Sequence, residues 1–340
     1  MHVWSLWHID EMNTDAADAF KNLSPDEILD AIESISLRTD GRLLALNSYE
    51  NRVYQIGLEE GEPVVAKFYR PHRWSDETIL EEHEYTLELS EAEIPVIPPI
   101  IHAGKTLHQH GPFRFSIYER RGGHAPELDN PDHLEQMGRF IARIHAIGAT
   151  KDFEHRPTIN FENYAITPRK FLVENRFIPS HLEEAYASLS KDVITRIRQC
   201  FDRAGEIRSL RLHCDMHPGN ILWTDKGPHI VDFDDARMGP AIQDLWMFLS
   251  GDRKYMTARL GDLLIGYEYF YEFNPAELNL VEALRTMRII HHAYWIASRW
   301  DDPAFPQAFP WFNSTNYWEE HILSLREQLA LMDEPPLIWD

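Results

Sequence analysis

The sequence predicts an α+β fold in two unequal lobes, a small antiparallel sheet followed by a larger helical region. Three observations carry that prediction. Residues 42–118 hold short apolar runs separated by polar turns, with one helical stretch inserted. Beyond Gly122-Gly123 the apolar spacing becomes mainly helical. One passage, 209–233, interrupts those helices with short strands, a loop and a turn.

Residues 1–20 fit no regular element, and 1–23 read as an extension ahead of the first lobe. Ser24, Pro25 and Glu27 spell a helix start: a capping hydroxyl, a proline suited to the first turn, and a glutamate to complete a capping box. The same grammar at Asn130-Pro131 and Asn274-Pro275 places helix starts near 131 and 275. The first lobe, 24–121, takes strands at 42–46, 52–57, 63–69, 105–109 and 113–118 and a helix at 76–91. The second, 122–340, takes helices at 131–147, 180–203, 241–249, 255–272, 275–298 and 315–332. Gly122-Gly123 is the linker between them.

The chain has 340 residues, 44% of them hydrophobic, enough for a sizeable core. A formal charge of −22 without any basic run argues against a nucleic-acid partner. Two cysteines, Cys200 and Cys214, are too few for a disulfide framework. No basic-then-apolar leader is present, and no run approaches the roughly 20 apolar residues that span a bilayer. A cytoplasmic monomer with no membrane partner is the expectation.

Chemistry concentrates at 212–223 and 229–235. Asp215 precedes Asn220 by five residues, and Val231-Asp232-Phe233-Asp234 follows a turn at 224–228. Phosphoryl transfer needs an acceptor hydroxyl that is oriented and deprotonated, phosphate oxygens neutralised by metal, and a donor held in line. The five-residue interval is that between the catalytic aspartate and the metal-binding asparagine of kinase loops. Asn220 and Asp232 offer oxygens suited to a hard cation such as Mg2+. A hairpin through the turn brings them side by side. The catalytic candidates are Asp215 and Asp232, and the metal candidates Asn220 and Asp232.

Taken singly, Asp215 reads equally as a loop carboxylate and Asn220 as a turn residue; the joint spacing carries the chemistry. His213, Asp215 and His217 form a rival transition-metal set if alternation puts them on one strand face. Pro218-Gly219 breaks such a strand, and His213 then reads as a brace for the loop. Upstream, Lys67 is the lysine of the apolar strand 64–68, suited to hold donor phosphates, with Glu82 favoured over Glu81 and Glu84 as its helix partner. Its alternative is a solvent-facing strand position. The turn 47–52 has no glycine-rich loop, but its hydroxyl, amides and backbone N–H groups suit phosphate oxygens. Its alternative is an ordinary polar hairpin turn.

The motifs at 213–220 and 232–234 resemble those of the aminoglycoside phosphotransferase and choline kinase superfamily. Blocks at 46–55, 67–71, 79–83, 156–159, 239–247 and 300–306 are similar to one branch of it, the bacterial stress-response serine/threonine kinases. The resemblance runs from about residue 24 to about 336. It implies a bilobal protein-kinase-like fold, ATP and Mg2+ as cofactors, and a protein substrate with a serine or threonine acceptor, including the chain itself. It implies that Asp215 is the catalytic aspartate, that Asn220 and Asp232 bind magnesium, and that Ser48 touches ATP. Adenine is expected against the strand ending at Glu119. Asp244 resembles the aspartate that braces the catalytic loop. Cys214 stands where an arginine or glycine is usual, so activation through a phosphorylated segment is not expected. Asp234 replaces the glycine after Asp-Phe.

The alternative acceptor is a metabolite alcohol or amino alcohol. An acidic cleft around Asp234, Asp235 and residues 295–302 suits such a cation. A non-catalytic nucleotide-binding module is a third reading, against which the intact Lys67, Asp215, Asn220 and Asp232 stand. Cys214, if in the cleft, is a candidate for oxidation. Trp295, Trp300, Trp311 and Trp318 read as packing of the C-terminal helices, His291-His292 as a helix-surface pair, and Cys200 as a buried helix residue.

Overall fold

Alternation builds the first lobe. In β3 (Val64–Phe68) the residues Val64, Ala66 and Phe68 are buried on one face. They meet Phe113, Phe115 and Ile117 of β5 (Phe113–Glu119) and Ile56 of β2 (Arg52–Leu58). Ile28, Ala31 and Ile32 of α1 (Pro25–Ser34) cover that face. With β1 (Thr39–Leu46) and β4 (His108–His110) the sheet has the order β1-β2-β3-β5-β4, antiparallel throughout. Period two sends Lys67 to the opposite face, beside α2 (Asp76–Glu91), where Glu82 and His83 are also buried. The computed structural model describes residues 19–46 and 48–339. The expected extension therefore lies mostly outside the described residues, as does Asn47.

The second lobe is helical: α3 (Pro131–Gly148), α4 (Thr167–Glu174), α5 (Glu183–Ala204), α6 (Arg253–Tyr267), α7 (Val281–Ala297), α8 (Ala304–Ala308) and α9 (Thr315–Leu331). One large core joins these helices. The crossing between lobes pairs with the second: His124 N donates to Trp223 O at 3.1 Å, and Trp223 N to His124 O at 2.7 Å. A Cβ on Gly123 would stand 2.6 Å from the Leu222 carbonyl carbon, so only glycine allows that approach. Among the described residues no helix is long and apolar enough to cross a membrane.

Several expectations are corrected. Ser24 caps α1 by accepting from Glu27 N, but the Glu27 carboxylate pairs with His110 at 3.3 Å instead of closing a capping box. The expected helix at 241–249 is two 3-10 turns, Ala241–Asp244 and Trp246–Phe248. Two carboxylates take over that segment: Glu277 accepts from Ile242 N at 2.8 Å, and Asp244 turns inward. The helix expected from 275 starts as a 3-10 turn, Pro275–Leu280, before α7. The helix expected to reach 272 stops at Tyr267, and α4 and α8 were not expected; Pro306 inside α8 masks it, while Pro168 stands in the first turn of α4, where proline fits.

Candidate active site

Asp215 leaves a loop anchored from beneath. β6 (Leu210–Leu212) pairs with β9 (Arg237–Gly239) and delivers the chain to His213. Asp244, with no exposed side chain, accepts from His213 N at 2.9 Å and Cys214 N at 2.7 Å. It also meets His145 Nε2 at 3.2 Å. These bonds hold Cys214 in the left-handed region, φ 68°. His213 is fully buried; its Nδ1 accepts from Asp215 N at 3.2 Å, which leaves Nε2–H to donate to Val231 O at 2.9 Å. Both ring nitrogens are spent, so His213 is a brace and the rival transition-metal set fails.

The hairpin then does what the spacing predicts. β7 (Ile221–Thr224) and β8 (Gly227–Ile230) turn the chain back, and Val231 N donates to Asn220 O at 3.0 Å. Asn220 Nδ2 donates to Asp215 O at 2.9 Å. That bond turns the Asn220 amide nitrogen toward Asp215 and leaves Oδ1 as its acceptor. Asp232 takes a left-handed conformation, φ 65°, with its side chain 55% exposed. Lys67 Nζ lies 3.0 Å from Asp232 and 3.3 Å from Asp234, bringing the two lobes together. Burial alone pushes the Lys67 ammonium pKa down; Asp232, Asp234 and Glu82 overcome this and raise it well above its ordinary value. The donor set fits a hard cation: an amide oxygen and a carboxylate, with no thiolate or imidazole.

The structure ties Asn220 to Asp215 and Lys67 to Asp232, with Val231 N bonded to Asn220 O between them, and gives the other candidates the following partners. Glu82 lies within electrostatic reach of Lys67 but forms no ion pair with it; Asp234, which displaces it, reaches Lys67 from the second lobe. Burial raises the Glu82 carboxyl, with Lys67 and Arg156 opposing. Glu81 is spent elsewhere, accepting from the backbone N–H groups of residues 154–156. The Ser48 hydroxyl donates to Asn51 O at 3.1 Å within its own turn. Glu119 is exposed and pairs with Arg121. Among the described residues, neither is bonded to the central group.

The expected acidic cleft is neutralised. Arg73 binds both Asp234 and Asp235, Arg237 lies 3.4 Å from Asp235, and Arg70 lies 2.9 Å from Asp302. Burial pushes the Asp234 and Asp235 carboxyls up, but Arg73 together with Lys67 and Arg156 for Asp234, and with Arg237, His291 and Arg156 for Asp235, outweighs it and holds both below the usual carboxylate range. Cys214 is buried rather than cleft-exposed, and burial with Asp244 beside it drives its thiol far above the ordinary value. A buried, protonated thiol is a poor target for oxidation.

Three side chains escaped the sequence reading. Arg288 Nη1, on α7, donates to Asp215 Oδ1 at 2.6 Å. Glu50, in the β1–β2 turn, accepts from Trp295 Nε1 at 2.5 Å and lies 2.8 Å from Arg299 and 3.1 Å from Arg70. Arg73 sits between Glu50 and the Asp234-Asp235 pair. Charge complementarity was the only local signal for them. Trp295 thus links the lobes besides packing on Phe305 and Phe309. His291 is half-buried and stacks on Tyr164 at 4.3 Å; His292 keeps an exposed edge but lines a cavity against α9.

Known proteins resemble this arrangement. The profile of the phosphotransferase enzyme family matches residues 42–281. The chain is 44% identical over 322 residues to stress response kinase A of Escherichia coli (strain K12), covering 95% of this chain and 97% of that protein. It is 42% identical over 323 residues to the serine/threonine protein kinase RdoA of Salmonella typhimurium, covering 95% and 98%. Among solved structures, the amicoumacin kinase hAmiN, in complex with AMP-PNP, Ca2+ and Ami, superposes with a TM-score of 0.70 at 20% identity, covering 92% of this chain and 95% of that one. A microcompartment-associated aminopropanol kinase gives 0.69 at 17% identity, covering 90% and 96%.

Proposed function

The chain belongs to the phosphotransferase enzyme family and is a kinase, and from that premise we propose that it transfers the γ-phosphoryl group of ATP, with Mg2+, to serine or threonine hydroxyls of proteins in a bacterial stress response. The observation that carries the reading is the tie between Asn220 and Asp215. One 2.9 Å bond fixes the candidate base beside the candidate metal ligand, while Lys67 reaches Asp232 at 3.0 Å. The protein acceptor rests on the relatives named as kinases along nearly their whole length.

In this reading the lobes 24–121 and 122–340 enclose the nucleotide. Adenine lies against the end of β5 near Glu119, and the turn bearing Ser48 covers the phosphates. Lys67, kept charged by Asp232 and Asp234, faces the α- and β-phosphates. Asn220 Oδ1 and Asp232 would hold Mg2+, whose charge offsets that of the phosphate oxygens. Asp215 orients the acceptor hydroxyl. As the bond from the acceptor oxygen to phosphorus forms and the bond to the ADP oxygen breaks, the hydroxyl proton passes to Asp215, late in a largely dissociative process. The enzyme acts as a cytoplasmic monomer.

The test is transfer of label from γ-labelled ATP with Mg2+, offered in parallel to a mixed protein pool and to a panel of small alcohols and amino alcohols. Label in protein serine or threonine is the expected result. Label confined to a small molecule would overturn the protein acceptor while leaving the phosphotransfer site intact.

A further inference from the structure

Arg288 belongs to two places at once. It donates to Asp215 Oδ1 at 2.6 Å, and it lines a cavity of about 370 Å³ between α7 and α9. Arg285, His292, Tyr317, Glu320 and His321 share that wall. Arg285 is committed to Glu282 at 2.8 Å, and Glu320 to Asn316 at 2.8 Å. Among the described residues Asp215 is the single acceptor for Arg288, which leaves most of its guanidinium donors unused. In the same wall His321, 5% exposed, has a buried Nε2 without a partner.

The charge pattern around Asp215 has a direction. The carboxylates facing the cleft are already matched: Asp235 by Arg73 and Arg237, Glu50 by Arg299 and Arg70. In the wall a cationic acceptor meets Glu320, whose charge the Asn316 amide does not neutralise, but at Asp215 it must displace Arg288, leaving a guanidinium unpaired. An anionic acceptor does the reverse. Its carboxylate takes Arg288, one ion pair replaces another, and Asp215 Oδ1 is released to accept from the incoming hydroxyl. The positive field is felt on α7 itself, where burial and then Arg288 hold His292 below its ordinary pKa.

We propose, building on the protein-kinase reading, that the acceptor is a serine or threonine in an acidic segment, and that Arg288 selects it by leaving Asp215 for a carboxylate of that segment. Specificity and readiness for catalysis are then one event: a segment that cannot draw Arg288 away leaves Asp215 occupied. The overall charge of −22 opposes the approach of any acidic segment. At about 0.15 M salt that field is screened beyond about 8 Å, so the selection is local to the cavity.

Three serine peptides, identical except for flanking aspartate, alanine or lysine, separate the possibilities at that ionic strength. Both kcat/KM and calorimetric binding of the Ser→Ala forms are measured for wild type, Arg288→Gln and Arg288→Glu, with circular dichroism as the fold control. A charge-assisted hydrogen bond contributes enough for the wild type to prefer the acidic peptide by about tenfold or more. Arg288→Gln should lose that preference and Arg288→Glu should shift it to the basic peptide. Equal use of the three peptides by wild type, or an acidic preference that survives Arg288→Gln, overturns the proposal. If no peptide accepts phosphate, the protein-kinase reading falls and the binding arm still decides. Acidic binding lost in Arg288→Gln supports the cavity assignment, and charge-blind binding removes it.

Discussion

The loop carrying Asp215 and the turn carrying Ser48 are each hung on one carboxylate. Asp244 has no solvent exposure and bonds backbone N–H groups of the loop directly. Glu50 is half-buried and gathers side chains from the other lobe, Trp295 and Arg299, with Arg70 beside it. Backbone ties to a buried acid fix the floor as one structure. The roof is tied through side chains alone, in ion pairs that are themselves largely buried, Glu50 being 13% exposed at its side chain. In the proposed function the cleft admits nucleotide and positions a base, and both kinds of attachment suit that.

The largest break in this contrast should come from Asp244→Ala. It leaves the His213 and Cys214 N–H groups buried without acceptors, at a cost of about 3–5 kcal/mol in chemical denaturation. A loss below about 1 kcal/mol would mean that the floor does not hang on Asp244.

Glu277 sharpens the comparison, because it holds the turn that bears Asp244. Burial raises its carboxyl pKa to about 7, with the Ile242 and Ala241 N–H groups opposing. A folded pKa above the unfolded one means that the folded state binds the extra proton. This group's contribution is therefore fully present below about pH 4.5 and lost as pH rises through about 7, by up to about 3 kcal/mol. Glu277→Gln should remove that slope from stability measured between pH 4.5 and 8. An unchanged slope would place the titration elsewhere.

Glu50→Gln should cost less stability than Asp244→Ala, about 1–3 kcal/mol, because the amide oxygen can still accept from Trp295 and the arginines. Its effect should appear as a raised KM for ATP with the floor untouched. A stability loss as large as that of Asp244→Ala would erase the distinction between floor and roof.

What was legible in the sequence follows the same division. Alternation at 64–68 and 113–118 marks strands and already places Lys67 opposite the α1 face, because period two is a local property of the backbone. The Asp215–Asn220 interval and the turn at 224–228 are likewise local, and the hairpin closes as expected. Partners across long separations were not legible. Arg288 meets Asp215 from 73 residues away and Trp295 meets Glu50 from 245, and nothing in the local sequence of either helix position names its partner. The 3-10 turn at Ala241–Asp244 has a helical sequence, but Glu277 and Asp244 bend it to the needs of the loop. The acidic residues 234–235 were read as free charge because the arginines that match them come from β9 and from the segment before α2.

All of this serves one group, and the direct test is Asp215→Ala assayed for magnesium-dependent transfer from ATP to protein, beside nucleotide binding by the same variant. Transfer should fall by about 10²–10⁴ while ATP binding is retained. Turnover near that of the wild type would contradict the assignment of Asp215 as the base.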